Sequence, residues 1–248
     1  MNASTKNAAP QSDARDLVMA RMRKALGRDQ DAEAREAVRA RLETPAPTLL
    51  PARADLQAKA RLQLFIDQAK GVQADVERIG SYADLPEMIA GYLRDHNLPM
   101  RLVKAVDDHL DKADWNQGLL EVRSGRPEPD DAVGLSAAFA GIAETGTLML
   151  ASDADHPMTL AFLPETAIVV LPSDRIARAY EDALHDFRQS GTDLPRSINL
   201  ITGPSRSGDI EQTLQLGAHG PKRLLVVIVD EASEKGMIAD IEARVATT

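Results

Sequence analysis

The chain has 248 residues, 44% of them hydrophobic and 27% charged, with a formal net charge of −9 at pH 7 and no cysteine. That length holds one full domain with extensions, or two small ones. The acidic balance opposes a nucleic-acid backbone as the main partner, because neutralising phosphates takes a basic face. Without cysteine the chain has no disulfide, no thiol nucleophile, no zinc ribbon and no thiolate-held iron–sulfur cluster of its own.

No run approaches the roughly 18 to 20 apolar residues of a spanning helix, and the N-terminus lacks the apolar core of a secretory signal. The expectation is a soluble, cytoplasmic protein. Residues 1–53 carry ten Lys and Arg against seven Asp and Glu, an excess too mild for a DNA-binding arm.

In chain order, residues 1–12 are polar and aperiodic and are expected to be disordered. Val18, Met22, Ala25 and Leu26 at helical spacing predict a short amphipathic helix from Asp13 to the stop at Gly27. A second, Ala- and Arg-rich helix is predicted over 31–43. The prolines of PAPTLLP then make a linker at 45–53. Ala58, Leu62, Phe65, Ile66 and Ala69 predict a core-packed helix over 54–70, ended by Gly71.

Beyond Gly71 strand-like and helix-like runs alternate, the pattern of an α/β domain. Strands are predicted at 72–79, 100–106, 118–123, 132–139, 147–152, 167–172, 197–202 and 224–230. Helices are expected through Leu85, Ile89 and Leu93, over 173–190, over 209–216 and over 233–248. Unbroken apolar runs such as AIVVL and LLVVIV suit strands covered on both faces, so the fold class is α/β with a mostly parallel sheet flanked by helices. The expected division is an N-terminal helical extension over 1–53, the α/β domain over 54–230 and a tail over 231–248.

Three segments can carry chemistry. In the first, an apolar strand enters Gly203-Pro204-Ser205-Arg206-Ser207-Gly208-Asp209 and then a predicted helix. Such a loop offers unpaired N–H groups to an anion, Arg206 can bind a carboxylate or phosphate through two hydrogen bonds, and Gly208 permits close approach. It is neither a P-loop nor a Rossmann fingerprint. The bland alternative is a helix cap at Ser207 or Asp209 and a surface ion pair at Arg206. The second segment is Gly141-Ile142-Ala143-Glu144-Thr145-Gly146-Thr147, where Glu144 is either a nucleophile or base raised by burial, or a satisfied turn carboxylate. The third is His219-Gly220-Pro221 before the last strand. His156 lies on another loop and joins a site only if the fold brings the loops together. His96, His109 and His185 read as structural, and Trp115 as a packing anchor. No histidine pair has metal-motif spacing, so neither a metal nor a resident cofactor is expected.

Read in order, GIAETGTLML, PETAIVVLP, INLITGPSRSGDIE and GAHGPKRLLVVIVD resemble the LUD-domain family of lactate utilization protein C, also called the LutC/YkgG family, across about residues 70–230. The family usually shows Thr and Ala where this chain has Ser207 and Gly208. The resemblance implies a NagB/RpiA/CoA-transferase-like fold and participation in bacterial oxidation of L-lactate to pyruvate beside iron–sulfur partner proteins. A chain without cysteine suits a non-redox accessory role there, with a small anionic ligand as a candidate. Two alternatives are an independent enzyme on a CoA-transferase-like or folate-ligase-like scaffold using Glu144, and a small-molecule sensor. Catalytic candidates are Glu144 and His219, and ligand-binding candidates are Thr145, Gly146, Thr147, Gly203, Ser205, Arg206, Ser207 and Gly208. Their loops are expected to meet at the carboxyl edge of the sheet.

Overall fold

The computed structural model describes residues 11–27, 32–44, 50–116, 118, 120–191, 194–207 and 215–231. Contacts divide the chain into two units, residues 1–49 and 50–248. The first holds α1 (Gln11–Ala25) and α2 (Ala32–Glu43). The chain is already helical at Gln11, two residues ahead of the expected start, and turns out of the helix at Gly27, whose φ is 62°. Residues 28–31 and 45–49 lie outside the described residues.

The second unit opens with α3 (Ala58–Gly71), and Gln73, at φ 67°, turns the chain into β1 (Asp75–Ile79). Ser81 then starts a capping box with Asp84, and Pro86 occupies the first turn of α4 (Leu85–Asp95), where its missing N–H costs nothing. There follow β2 (Arg101–Lys104), β3 (Glu121–Ser124), β4 (Val133–Ala137), β5 (Ala140–Ile142), β6 (Thr147–Ala151), the short α5 (Thr159–Phe162) and β7 (Thr166–Pro172). The chain closes with β8 (Ile176–Ala177), α6 (Tyr180–Gln189), β9 (Ile198–Ile201), β10 (Arg206–Ser207), β11 (Gln215–Leu216) and β12 (Arg223–Val229).

Six strands form a wholly parallel sheet in the order β1-β12-β7-β4-β2-β3. The alternating side chains of its central strands explain their unbroken apolar sequence. Ile168, Val170, Leu225, Val227 and Val229 share a cluster with Leu85, Ile89 and Leu93 of α4. Ala167, Val169, Leu171, Leu224, Val226 and Ile228 share another with Phe65, Ile66 and Ala69 of α3. Both faces are thus buried, at about 25 cal/mol per Å² of apolar surface removed from water.

A second, mixed sheet in the order β8-β5-β6-β9 packs against α6 through Ile142, Met149, Ala177, Ala183 and Phe187. The expected strand 132–139 therefore ends at Ala137. The Ala138 N–H still bonds Val170 O of the parallel sheet, whereas the Phe139 N–H bonds Met149 O of the second one. Residues 209–214 of the expected helix 209–216, and all of 232–248, lie outside the described residues. Residues 215–216 are strand, paired antiparallel with Arg206–Ser207. Trp115 packs against the α4-side core and donates from Nε1 to Leu110 O at 2.8 Å. No helix among the described residues is long and apolar enough to cross a membrane.

Candidate functional site

The carboxyl edge of the parallel sheet holds a cavity of about 170 Å³, the volume of roughly five or six waters at about 30 Å³ each. Five segments reach it by running off strand ends, and α6 supplies Phe187. Asp107 follows β2, Ala137 through Phe139 leave β4, Arg175 follows β7, and Asp153 and His156 follow β6, with Tyr82 supplied by the turn after β1. The Val106 N–H bonds Asp155 O at 3.1 Å, which ties the loop of Asp107 to that of His156.

His156 is clamped between two carboxylates. Its Nε2 lies 2.9 Å from Asp107 Oδ2 and its Nδ1 lies 2.9 Å from both oxygens of Asp153. Each carboxylate is itself fixed by backbone donors: Asp107 Oδ1 accepts from the His109 and Leu110 amides, and Asp153 Oδ1 from those of Asp155 and His156. The Asp107 hydrogen bond, reinforced by Asp153, outweighs the opposing effect of burial and lifts the imidazole to about 9. Burial pushes the Asp107 carboxyl up, but the His156 contact and the Leu110 and His109 amides together hold it at about 2. Asp153 is lowered by the same balance. At neutral pH the ring is an imidazolium donating from both nitrogens.

Arg175 lines the same cavity and forms no salt bridge among the described residues. Burial pushes the Tyr82 phenol up to about 12 against the counteracting charge of Arg175. The His109 ring stacks on Tyr82 with centroids 5.5 Å apart. Phe139 and Phe187, edge to face at 5.0 Å, make an apolar wall. Chemically, the cavity offers a guanidinium fork, a phenol and an apolar wall beside two acceptor carboxylates. Among the described residues no group of three or more His, Asp or Glu is placed to hold a metal ion.

The residues singled out from the sequence fall elsewhere. Glu144 sits in the turn between β5 and β6, 7% exposed, with its N–H on Arg178 O at 3.2 Å. Gly146, at φ 66°, lies so close to α3 that a Cβ there would stand 2.3 Å from Ala69 N, and at Gly203, φ 74°, a Cβ would stand 2.5 Å from Val72 O. Gly146 thus admits the backbone of α3, and Gly203 that of Val72 just after it. Thr147 Oγ1 lies 2.7 Å from Thr145 Oγ1, 3.0 Å from Tyr180 OH and 2.6 Å from Thr202 Oγ1, which latches the turn to α6 and to the end of β9.

Ser205 and His219 do meet: the His219 N–H donates to Ser205 Oγ at 3.3 Å and the Ser205 N–H to Pro221 O at 2.9 Å. Their meeting place corrects the expected convergence at the carboxyl edge. Pro221 and Lys222 lead into the amino end of β12, and the Lys222 N–H bonds Glu165 O just before β7. Parallel strands put their starts and their ends on opposite edges, so this loop pair is remote from the carboxyl-edge cavity. No hydrogen bond or ion pair among the described residues joins Glu144 to Arg206 or His219. Arg206 is exposed, and Gly208 lies outside the described residues.

Sequence reasoning missed Tyr82, Asp107, Asp153 and Arg175, and read His109 as structural. Two local signals were present: Asp107 directly follows the strand expected at 100–106, and Asp153 precedes His156 by three residues on a tight loop.

The fold and its cavity define a parallel-sheet α/β protein with a ligand-sized cleft where such proteins place ligands. The LUD domain family model matches residues 130–229, from just before β4 to the end of β12, and the motifs that carried the resemblance lie in that span but for Asp230. Lactate utilization protein C of Oceanobacillus iheyensis is 31% identical over 126 residues, 50% of this chain and 54% of that protein. The protein of the same name from Geobacillus thermodenitrificans is 35% identical over 124 residues, 47% and 50% of the two chains. An uncharacterized protein of Neisseria meningitidis is 35% identical over 96 residues, 39% and 41%. The chain spans about half the length of the curated relatives it matches. The crystal structure of a DUF162 family protein from Deinococcus radiodurans shares the fold, with a TM-score of 0.53 at 22% identity over 71% of this chain and 99% of that one.

Proposed function

We propose that this chain serves bacterial lactate utilization in the cytoplasm as a component without a redox centre of its own, and that its carboxyl-edge cleft binds a small carboxylate. The observation that carries the ligand is Arg175, a guanidinium without a salt-bridge partner among the described residues, in a cavity of about 170 Å³ beside the clamped His156. The names of the relatives support the process. The absence of cysteine supports an accessory part beside iron–sulfur proteins, which would hold the clusters that this chain cannot ligate by thiolate.

The test is thermal unfolding of the wild type and Arg175→Ala in L-lactate, pyruvate and acetate at matched ionic strength. A ligand at about 100 times its Kd stabilises by about 2.7 kcal/mol, several degrees for a chain of this size. A shift in the wild type that is lost in the variant supports the reading, and equal shifts in both sink it. Native co-purification with cluster-bearing proteins tests the assembly separately.

A second reading is favoured by one observation. Glu144 is 7% exposed, and no hydrogen bond to its carboxylate is formed among the described residues, a setting that suits a nucleophile or base. If Glu144 works so, Glu144→Gln abolishes turnover of a substrate while leaving the unfolding temperature unchanged.

A further inference from the structure

Asp153 lines a second groove, of about 580 Å³, on its way out of the carboxyl-edge cleft. Three loops build this groove: the one after β3 with Arg126, the one from β6 to α5 with Ser152, which ends at Thr159 at the start of α5, and the approach to β9 with Arg196 and Ser197. In a chain with 38 acidic against 29 basic side chains, an arginine has carboxylates to spare. Yet neither Arg126 nor Arg196 forms a salt bridge among the described residues.

The surroundings account for this. Of the acids near Arg126 in sequence, Asp131 pairs with Arg123 and Glu128 lies 3.8 Å from the same guanidinium. Arg123 also donates to Arg126 O at 3.0 Å, so it fixes the backbone of Arg126 while engaging two of the acids beside it. Across the groove the Ser152 N–H bonds Ser197 O at 3.0 Å and the Ser197 N–H bonds Ser152 Oγ at 2.9 Å, which fixes the strand end beside Arg196. Asp153 supplies the one carboxylate among the lining residues described, and the His156 ring and two backbone amides already compensate it.

The polar inventory is therefore one of donors. Ser152 Oγ and Ser197 Oγ each accept a hydrogen bond, from the Ser197 amide and from Asn199 Nδ2, and each keeps its O–H to donate. Two guanidinium forks and two hydroxyls on fixed backbones match a tetrahedral oxyanion better than a planar carboxylate, since several donors can approach it from different sides. The volume leaves room beyond a single phosphate, against Pro157 and Met158.

We propose that this groove binds a phosphoryl-bearing anion between Arg126 and Arg196. The proposal is independent of the carboxylate reading, because the residues that hold the two ligands differ.

The experiment is titration calorimetry of the full chain with inorganic phosphate and with pyrophosphate, set against sodium chloride of equal ionic strength. The expected result is binding of both anions, pyrophosphate more tightly because two guanidinium groups are available. The double variant Arg126→Gln/Arg196→Gln weakens pyrophosphate at least tenfold, and Arg126→Lys/Arg196→Lys recovers part of the loss because charge returns without the fork. Arg175→Ala leaves pyrophosphate binding unchanged. Absence of binding beyond the ionic-strength control, or a Kd unaltered in the Gln variant, overturns the proposal. Both arginines are exposed, and an unchanged unfolding temperature in chloride shows that the variants are folded.

Discussion

His156 Nε2 lies 2.9 Å from Asp107 Oδ2, joining loops 49 residues apart in sequence and closing one side of the carboxyl-edge cavity. The contact stabilises the fold and shapes the cavity together, which makes its titration measurable from stability alone.

The folded imidazole, at about 9, holds its proton more tightly than the unfolded one near 6.5. Its contribution is fully present below pH 6.5 and is lost as pH rises through about 9. Asp107, held at about 2 against an ordinary 3.8, contributes above pH 3.8 and loses its part as pH falls through about 2. Urea unfolding from pH 5 to 10 should show wild-type stability declining by about 1 to 3 kcal/mol across the alkaline limb. His156→Gln should flatten that decline, and a decline of the same size in the variant would remove the clamp as its cause.

At Arg175, loss of a charge-assisted, bidentate contact should cost a bound carboxylate about 1.5 to 3 kcal/mol, or roughly 10- to 150-fold in Kd. Arg175→Lys should recover only part of that. The cleft also presents the acceptor carboxylates of Asp107 and Asp153, which favour a ligand with a hydroxyl to donate. L-Lactate should therefore bind more tightly than pyruvate in calorimetry, and the reverse order would show that those carboxylates do not face the ligand.

Gly146→Ala places a methyl group 2.3 Å from Ala69 N at φ 66°. The left-handed backbone costs an alanine about 1 to 2 kcal/mol, and overpacking against a helix backbone adds about 1 to 3 kcal/mol. The unfolding temperature should fall by roughly 5 to 15 °C. Carboxylate affinity at the remote cleft should remain unchanged in the folded fraction.

Thr147 is fully buried, and its hydroxyl has three partners. Thr147→Val should destabilise by about 1 to 3 kcal/mol, because Thr145, Tyr180 and Thr202 lose a shared partner. Tyr180→Phe should cost less, since Thr147 keeps its other two contacts. Denaturant melts of the two variants rank them directly, and a costlier Tyr180→Phe would move the centre of the cluster to the phenol.

The sequence by itself determined the parallel sheet and what covers it. AIVVL and LLVVIV are apolar at every position because α4 takes alternate side chains and α3 the rest, and a strand covered on both faces leaves no polar position to interrupt the run. Helical spacing through Phe65, Ile66 and Ala69 likewise identified the buried stripe of α3. The switch at Ala138 and Phe139 from one sheet to the other was hidden, because Ala137 through Ala140 are all apolar and all at least partly buried. The glycines of GIAETGT and ITGPS announced a close approach, but only the tertiary structure decided that Gly146 meets the backbone of α3, Gly203 that of Val72 just after it, and Gly141 the side chains of Leu171 and Phe65. The site was decided in the same way: Asp107, Asp153, His156 and Arg175 come from three different strand ends. Periodicity reports which face of an element is buried, whereas neighbours across a sheet edge are set by strand order, which local sequence does not encode.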